Sequence, residues 1–212
     1  MPRTGGAATR ERIIDAAASV LTGLGLARAT TKEIARVAGI SEAALYKHFS
    51  GKEELFVTVL NTRLPGFGAT VLDDPRRPTD RDVAANLADI ARAAVRFYRG
   101  AFPMSASLFL ERGLLRRHRA AMHEMGTGPR RPLRALETYL RAEQARGRVA
   151  THVRADLAAG LLLGACFQRG FLAAYEEAEI DPAELDAVAT GLVATLLPGL
   201  IPAADPADPA GR

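Results

Sequence analysis

Two helix-start signals flank Gly39, and this arrangement constrains the fold more than any other feature of the chain. Thr30 can cap a helix, and Glu33 three residues later completes the sequence signature of a capping box. Gly39 readily takes the left-handed backbone conformation that often ends a helix, and Ser41 can cap the next one. The segment therefore predicts two short helices that meet at a tight turn.

Apolar residues on either side of this turn predict the helices that pack against it. A first helix from Thr9, ended by Gly23 and Gly25, is indicated by apolar residues at three- and four-residue steps, and a third is predicted at about 42–49. Ser50 and Glu53 form a second capping box that opens a fourth helix. The inward-facing residues are predicted to be Ile13, Ile14, Ala17, Val20, Leu21, Leu24, Ile34, Val37, Ala38, Leu45, Phe49, Leu55, Phe56, Val59 and Leu60. Four helices of this length make a small domain.

A run rich in proline, glycine and aspartate divides the chain into two predicted domains. The first covers 8–68, with the helix-turn-helix at about 31–50, and the second covers 79–198. Residues 1–8 are interpreted as a flexible basic arm, and 199–212 as a disordered tail rich in Pro, Ala and Asp. Helical patterns in the second domain cover about 80–99, 105–122, 131–144, 156–177 and 182–197. With few β-branched residues as well, the sequence predicts an all-α protein.

Composition narrows the class of protein. With 48% hydrophobic and 25% charged residues, the 212-residue chain matches an ordinary globular protein. Its single cysteine, Cys166, excludes an internal disulfide framework. We expect no stretch to approach the roughly 18 apolar residues of a membrane span, and residues 1–10 lack the apolar run of a signal peptide. We therefore expect a cytoplasmic protein with no membrane partner.

Sequence signals for catalysis or for a bound cofactor are lacking. The chain has no Gly-rich phosphate loop and no nucleophile elbow. His118 and His123 are five residues apart and do not share a helical face, so they predict no metal site. Cys166 lies in an apolar helix and is predicted to be inert. We expect neither an enzyme nor a cofactor.

Basic residues of the first domain suit a polyanionic partner. Residues 1–64 hold nine Lys and Arg against six Asp and Glu, a net charge of +3, and include all three lysines of the chain. Lys47 and Lys52 can neutralise phosphates, and backbone amides at the helix starts behind Thr30 and Ser41 can bind anions. The charge favours DNA over the alternative, a helical interaction module that shares only the three-helix shape.

Three short motifs carry a resemblance to a known family. They are the Ala-Gly-Ile-Ser of 38–41, the Leu-Tyr-Lys-His-Phe of 45–49 and the Lys-Glu-Glu-Leu of 52–55, at spacings that are hard to reach by chance. Over about its first 65 residues the chain resembles the tetracycline-repressor-like (TetR) family of transcriptional regulators. The resemblance implies an N-terminal three-helix helix-turn-helix DNA-binding domain and a C-terminal helical bundle that binds a ligand and dimerises.

The resemblance also implies contacts to the DNA backbone. Thr31, Tyr46 and Lys52 correspond to phosphate contacts of the family, and His48 lies near the backbone. A histidine near a helix end often only caps carbonyls, which is the alternative for His48. A plain solvated position is the alternative for Lys47 and Lys52.

Base-edge contacts are implied for Glu42, Ala43 and sometimes Tyr46. Glu42 can accept from a cytosine amino group and Ala43 can touch a thymine methyl. Alternatively, Glu42 only favours the dipole at the helix start. The helix is poor in Arg, Asn and Gln, so it does not predict an operator sequence. The predicted DNA-binding residues are Thr30, Thr31, Lys32, Ser41, Glu42, Ala43, Tyr46, Lys47, His48 and Lys52.

The second domain offers material for an effector pocket, as the family implies. Aromatic, Met and Cys side chains make adaptable walls for an apolar ligand, and the candidates are Phe97, Phe102, Phe109, Met122, Tyr139, Cys166 and Phe167. Ordinary core packing is the alternative for most of them. A basic run at 112–119 suits either an anionic effector or a solvated helix face.

The last two helices suggest a dimer seam. Gly160 and Gly164 permit close backbone approach, and an apolar stripe follows at 192–197. Packing within one chain is the alternative. We therefore expect a homodimeric regulator, a repressor, that binds a palindromic double-stranded DNA operator and leaves it when a small molecule binds. An activator or a ligand-independent repressor of the same fold stays open.

Overall fold

Regular structure in the described part of the chain is helical throughout, as expected for an all-α protein. The structure is a computed structural model that describes residues 4–25, 28–63, 72–74, 80–110, 112–124, 126 and 128–201. The helices are α1 (Thr4–Leu24), α2 (Thr31–Ala38), α3 (Glu42–Leu45), α4 (Lys52–Arg63), α5 (Val83–Leu110), α6 (Arg112–Glu124), α7 (Arg131–Ala145), α8 (Ala155–Tyr175) and α9 (Pro182–Leu196). A short 3₁₀ turn, Leu197–Gly199, follows α9.

Two compact units divide these helices between them. The first consists of Met1–Pro65 and Arg99–Gly128, and the second of Gly66–Tyr98 and Pro129–Arg212. Helix α5 contributes residues to both units because it continues beyond Arg99, where the sequence pattern ended it, and through Pro103. The predicted helix at 105–122 is thus divided between α5 and α6. The unit that holds the helix-turn-helix is also larger than the predicted 8–68 segment.

Apolar side chains from α1, α2, α3 and α4 form the core of the first unit. Ile13, Ile34, Leu45 and Phe56 are among those fully or almost fully buried. Leu108 of α5 and Leu114 of α6 complete this core. Burial of such side chains contributes about 1.5–3 kcal/mol each relative to exposure, so this small unit depends on all of its helices. The Leu60 side chain and residues 64–68 lie outside the described residues.

Helix boundaries in the first unit depart from the sequence pattern in two places. Helix α1 begins at Thr4, so the predicted flexible arm is helical from that residue on, and Thr9 Oγ1 donates to the Gly5 carbonyl at 2.8 Å. Extending a formed helix by one turn needs no new nucleation, which is the costly step. Helix α3 ends at Leu45 rather than near 49, and the chain then tightens into turns in which the amide of His48 donates to the carbonyl of Leu45.

The second predicted capping box uses a different glutamate from the one expected. Both the amide and the hydroxyl of Ser50 donate to Glu54 Oε2 at 2.7 Å, whereas Glu53 Oε2 lies 3.6 Å from Arg117 Nη1. The hydrogen bonds from Ser50 lower the pKa of Glu54. The prediction failed because α4 begins at Lys52, which places Glu54 rather than Glu53 at its third position.

The core of the second unit lies among α5, α7, α8 and α9. Leu136, Tyr139, Leu162 and Ala189 are buried in it. Leu200 also belongs to this core, and its carbonyl accepts the Ala150 amide at 2.7 Å. The predicted disordered tail is therefore wrong for its first residues, since an apolar side chain just past α9 packs inward. Residues 202–212 lie outside the described residues.

Helix α8 has one buried and one exposed apolar side. Ala158, Leu162 and Cys166 face the core, whereas Leu157 and Leu161 are 56% and 66% exposed. The helix has 21 residues and a window of mean hydropathy 1.5, enough by length and composition to cross a membrane, so the expectation that no segment comes near this limit is wrong. A core helix passes the same test, and α8 packs against α7 and α9.

Candidate nucleic-acid interface

The turn between α2 and α3 is built as its glycine predicts. Gly39 has φ 66°, and its amide donates to the carbonyl of Arg36 while the amide of Ile40 donates to that of Ala35. These two bonds satisfy carbonyls left over at the end of α2. Arg12 of α1 adds a third, because its Nη2 donates to the Ala38 carbonyl at 2.6 Å. Sequence reasoning missed Arg12, since no local pattern marks a bond across 26 residues.

Both predicted cap residues hold a helix start. The amide of Glu33 donates to Thr30 Oγ1 at 3.2 Å, and the amide of Ala44 donates to Ser41 Oγ at 3.1 Å. These two amides therefore already donate hydrogen bonds to side chains of the same chain. The reciprocal half of the first capping box does not form, because the Glu33 carboxylate binds Arg36 at 2.6 and 2.9 Å. The bond from Arg36 lowers the pKa of Glu33.

Three oxygen-bearing side chains meet across the turn. Thr31, the first residue of α2, donates its hydroxyl to Glu42 Oε1 at 2.5 Å, and its Oγ1 lies 3.3 Å from the hydroxyl of Tyr46. Glu42 and Tyr46 are four residues apart and so lie on one side of the short helix. Tyr46 is 50% exposed although its ring is large and apolar. The structure thus brings together three of the residues implied to contact DNA.

The other predicted DNA-binding residues lie on the outside of the same segment. Lys32, Ala43 and Lys47 are exposed, and His48 is half-buried. Lys52 lies at the start of α4 with its Nζ 5.1 Å from the centre of the Phe56 ring. This cation–π contact positions the Lys52 ammonium group over the face of the Phe56 ring.

Positive charge is concentrated in the first unit. It holds fourteen Lys and Arg against eight Asp and Glu, a net charge of +6, while the second holds fourteen against sixteen, a net of −2. The chain carries a net charge of +4, so its basic character belongs to the unit with the helix-turn-helix. Four arginines of α6 contribute, namely Arg112, Arg116, Arg117 and Arg119, and all four are exposed. A localised positive field of this kind attracts polyanions.

The predicted effector residues separate into different environments. Tyr139 is 1% exposed and its hydroxyl accepts Asn86 Nδ2 at 3.0 Å, and Cys166 is fully buried. Burial raises the pKa of the Cys166 thiol to about 12, which agrees with the expected inert thiol. Both residues belong to the core cluster of the second unit. Asn86 Oδ1 is buried and has no hydrogen-bond partner among the described residues.

An aromatic group lies elsewhere in the second unit. The Tyr98 ring is edge-on to Phe97 at 5.2 Å and to Phe167 at 5.3 Å between ring centres, and Phe167 is 46% exposed. Sequence reasoning named both phenylalanines but missed Tyr98, which is adjacent to Phe97 and one helical turn before Phe102. Burial raises the pKa of Tyr98 to about 12.

Three predicted effector residues belong to the first unit instead. They are Phe102, Phe109 and Met122, and Phe109 is 71% exposed. Their unit was misassigned because the sequence placed all residues after 79 in one domain. The basic run of α6 is exposed there, with Arg117 near Glu53. His118 in the same run has a buried Nδ1 without a partner among the described residues, and burial lowers its pKa.

The first unit therefore has the architecture of a helix-turn-helix DNA-binding domain: two capped helices at a glycine turn, on a core of further helices, with basic and hydroxyl side chains outside. Residues 13–59 match the model of the family described as bacterial regulatory proteins, tetR family. Over these residues the chain is similar to the TetR family of transcriptional regulators, as its motifs indicated.

Two further comparisons describe its relatives. Over 55 residues the chain is 49% identical to the HTH-type transcriptional regulator SrpR of Pseudomonas putida, which is 26% of each protein. The chain thus aligns with about a quarter of the length of this relative. Among solved structures, a TetR-family transcriptional regulator from Mesorhizobium loti matches 94% of this chain and 100% of its own, with TM-score 0.74 and 22% identity. A complex of SmeT with triclosan matches 92% of each chain, with TM-score 0.65 and 21% identity.

Proposed function

We propose that this protein regulates transcription as a repressor, and that as a homodimer it binds a palindromic operator and releases it when a small molecule binds. The observation that carries the proposal is the arrangement of Thr31, Glu42 and Tyr46 on one side of the turn, in the unit of net charge +6. Hydroxyl groups and cations on a presented helix are what a DNA backbone requires. We place this activity on the bacterial chromosome in the cytoplasm, and we propose no catalytic role.

The proposed dimer uses the exposed side of α8. Leu157 and Leu161 are exposed there, and Gly160 and Gly164 between and after them are exposed as well. Exposed leucines flanked by glycines suit a self-complementary contact between two copies of the helix. The predicted stripe of α9 supports this less well, because Val193 is buried in the core of its own unit and Leu192 and Leu196 pack against that core. A two-fold dimer would set its recognition helices about 34 Å or more apart.

The proposed effector is a small apolar or amphipathic molecule. The solved complex of SmeT with triclosan is a fold neighbour that binds such a compound. In this chain we propose Phe97, Tyr98 and Phe167 of the second unit as the contact group, because the centre of the Tyr98 ring lies 5.2 Å from that of Phe97 and 5.3 Å from that of Phe167, and Phe167 is partly exposed. Release of DNA requires that the effector bind more tightly to the conformation with low DNA affinity.

A binding titration tests the DNA assignment. Duplexes are selected from random DNA with the full chain, and their affinity is measured by fluorescence anisotropy at several salt concentrations. Tyr46→Ala combined with Lys52→Ala is expected to weaken binding at least about tenfold, and to reduce the salt slope by about 0.9 for the lost cation. Arg130→Ala with Arg134→Ala, which removes two exposed cations from the second unit, is the control and should leave both unchanged. Unchanged affinity and slope in the first variant would refute DNA binding by this surface.

A further inference from the structure

One carboxylate, that of Glu42, accepts the first of two linked hydroxyl hydrogen bonds at the candidate DNA surface. Thr31 Oγ1 donates to Glu42 Oε1 at 2.5 Å. A hydroxyl has a single proton, so Thr31 can only accept from the Tyr46 hydroxyl that lies 3.3 Å away. The hydrogen bonds therefore run in one direction, from Tyr46 through Thr31 to Glu42. The Thr31 proton points to the carboxylate and the Tyr46 proton to Thr31 Oγ1, so neither points outward.

This direction opposes a phosphate contact. Phosphate oxygens only accept hydrogen bonds, so Thr31 must turn its proton away from Glu42, and Tyr46 must turn its proton away from Thr31, before either can bind the backbone. When Thr31 turns, the Glu42 carboxylate loses its donor while it stands next to a polyanion. An unpaired charge at an interface is unfavourable unless another donor replaces the lost one.

Base edges supply such a donor only at certain pairs. In the major groove cytosine presents its N4 amino group and adenine its N6 amino group, whereas guanine O6 and N7 and thymine O4 are acceptors. We propose that Glu42 makes the phosphate contact of Thr31 conditional on a cytosine or adenine amino group facing Glu42. Glu42 is then a specificity-determining residue that acts by suppressing binding to other DNA. The inference rests on the proposed DNA-binding function.

A role limited to the helix dipole makes a different prediction. Glu42 is the first residue of α3, where a negative charge is favourable whatever Thr31 does. In that case removal of its charge changes stability and leaves the choice between DNA sequences intact. The role proposed above for Glu42 instead requires that the base preference depend on Glu42 at one position of each half-site and be independent of it at every other position.

The experiment compares the wild-type chain with Glu42→Gln on the selected duplex, on all its single-base variants and on an unrelated duplex. We expect Glu42→Gln to bind the unrelated duplex several-fold more tightly, with a salt slope larger by up to about one, because a negative charge beside the phosphates is removed. We also expect the ratio of selected to unrelated affinity to fall at least about tenfold, with preference lost at one position of each half-site.

Two further variants complete the test. Glu124→Gln, at the exposed end of α6, makes the same charge change in the same unit and should leave base preference unaltered. Thr31→Val removes the hydroxyl that links Glu42 to Tyr46, so adding Glu42→Gln to it should alter binding to the unrelated duplex less than in the wild type. If Glu42→Gln keeps the wild-type base preference at every position, the proposed role of Glu42 is refuted while DNA binding by the chain stands. If the wild-type chain binds no duplex, the proposed function fails with it.

Discussion

Adding a methyl group to the exposed glycines of α8 separates the stability of one protomer from the stability of the proposed dimer. Gly160 and Gly164 lie inside the helix, and a Cβ built on either one meets nothing within 4 Å in its own chain. Alanine is favoured over glycine in a helix interior by about 0.5–1 kcal/mol. The double substitution to alanine is therefore expected to raise the free energy of unfolding of the monomer by about 1–2 kcal/mol.

The same methyl groups oppose a close helix contact between two copies. A side chain forced into a well-packed contact costs about 1–3 kcal/mol, and two-fold symmetry repeats each substitution. We expect the dimer dissociation constant, measured by sedimentation equilibrium, to rise at least about tenfold, while urea unfolding at low concentration shows the gain in stability. Gly23→Ala, an exposed position of α1 with equally open space, should raise stability without weakening the dimer. An unchanged or tighter dimer in the α8 variant would refute this seam.

Three further predictions follow from the described contacts. Replacing Gly39 by alanine places a Cβ at φ 66°, so the free energy of unfolding should fall by about 1–2 kcal/mol in urea titrations, and no loss would contradict the strained turn. Glu143 is buried with its carboxylate on Arg148 at 2.5 Å, so Glu143→Gln should cost about 1.5–3 kcal/mol by the same measurement, against little change for exposed Glu179→Gln. The folded chain keeps the Cys166 proton that the unfolded chain loses near pH 9, so stability should fall as pH rises from about 9 toward 12, and less steeply in Cys166→Ala.

Local signals predicted the turn at the DNA surface well, because its geometry depends on a few neighbouring residues. Thr30, Gly39 and Ser41 each act on backbone groups within four positions of themselves, and all three do so as predicted. The glutamates were harder to place. Glu33 and Glu53 have long side chains with several partners in reach, and the nearby arginines compete with the helix start.

Contacts between distant residues were beyond the sequence pattern. The Thr31 to Glu42 bond depends on how α2 and α3 cross, which no periodicity specifies. The extent of α5 was missed because Gly100 and Pro103 are ordinary helix breakers, yet the helix continues past both. The exposure of Leu157 and Leu161 on α8 could not be predicted either, since hydropathy records how apolar a face is and does not record whether the same chain covers it.

The contribution of Leu108 and Leu114 to the first core limits how this chain can be divided. A designer who wished to transplant its DNA-reading module would be drawn to cut near 65–79, where the proline-rich run suggests a natural joint. A fragment ending there would lack both leucines and would present an uncovered apolar patch to water. The segments that fold together as the first unit are therefore discontinuous along the chain. To exchange DNA specificity between such proteins, a designer should replace surface residues of α2 and α3 and leave the backbone of the recipient whole.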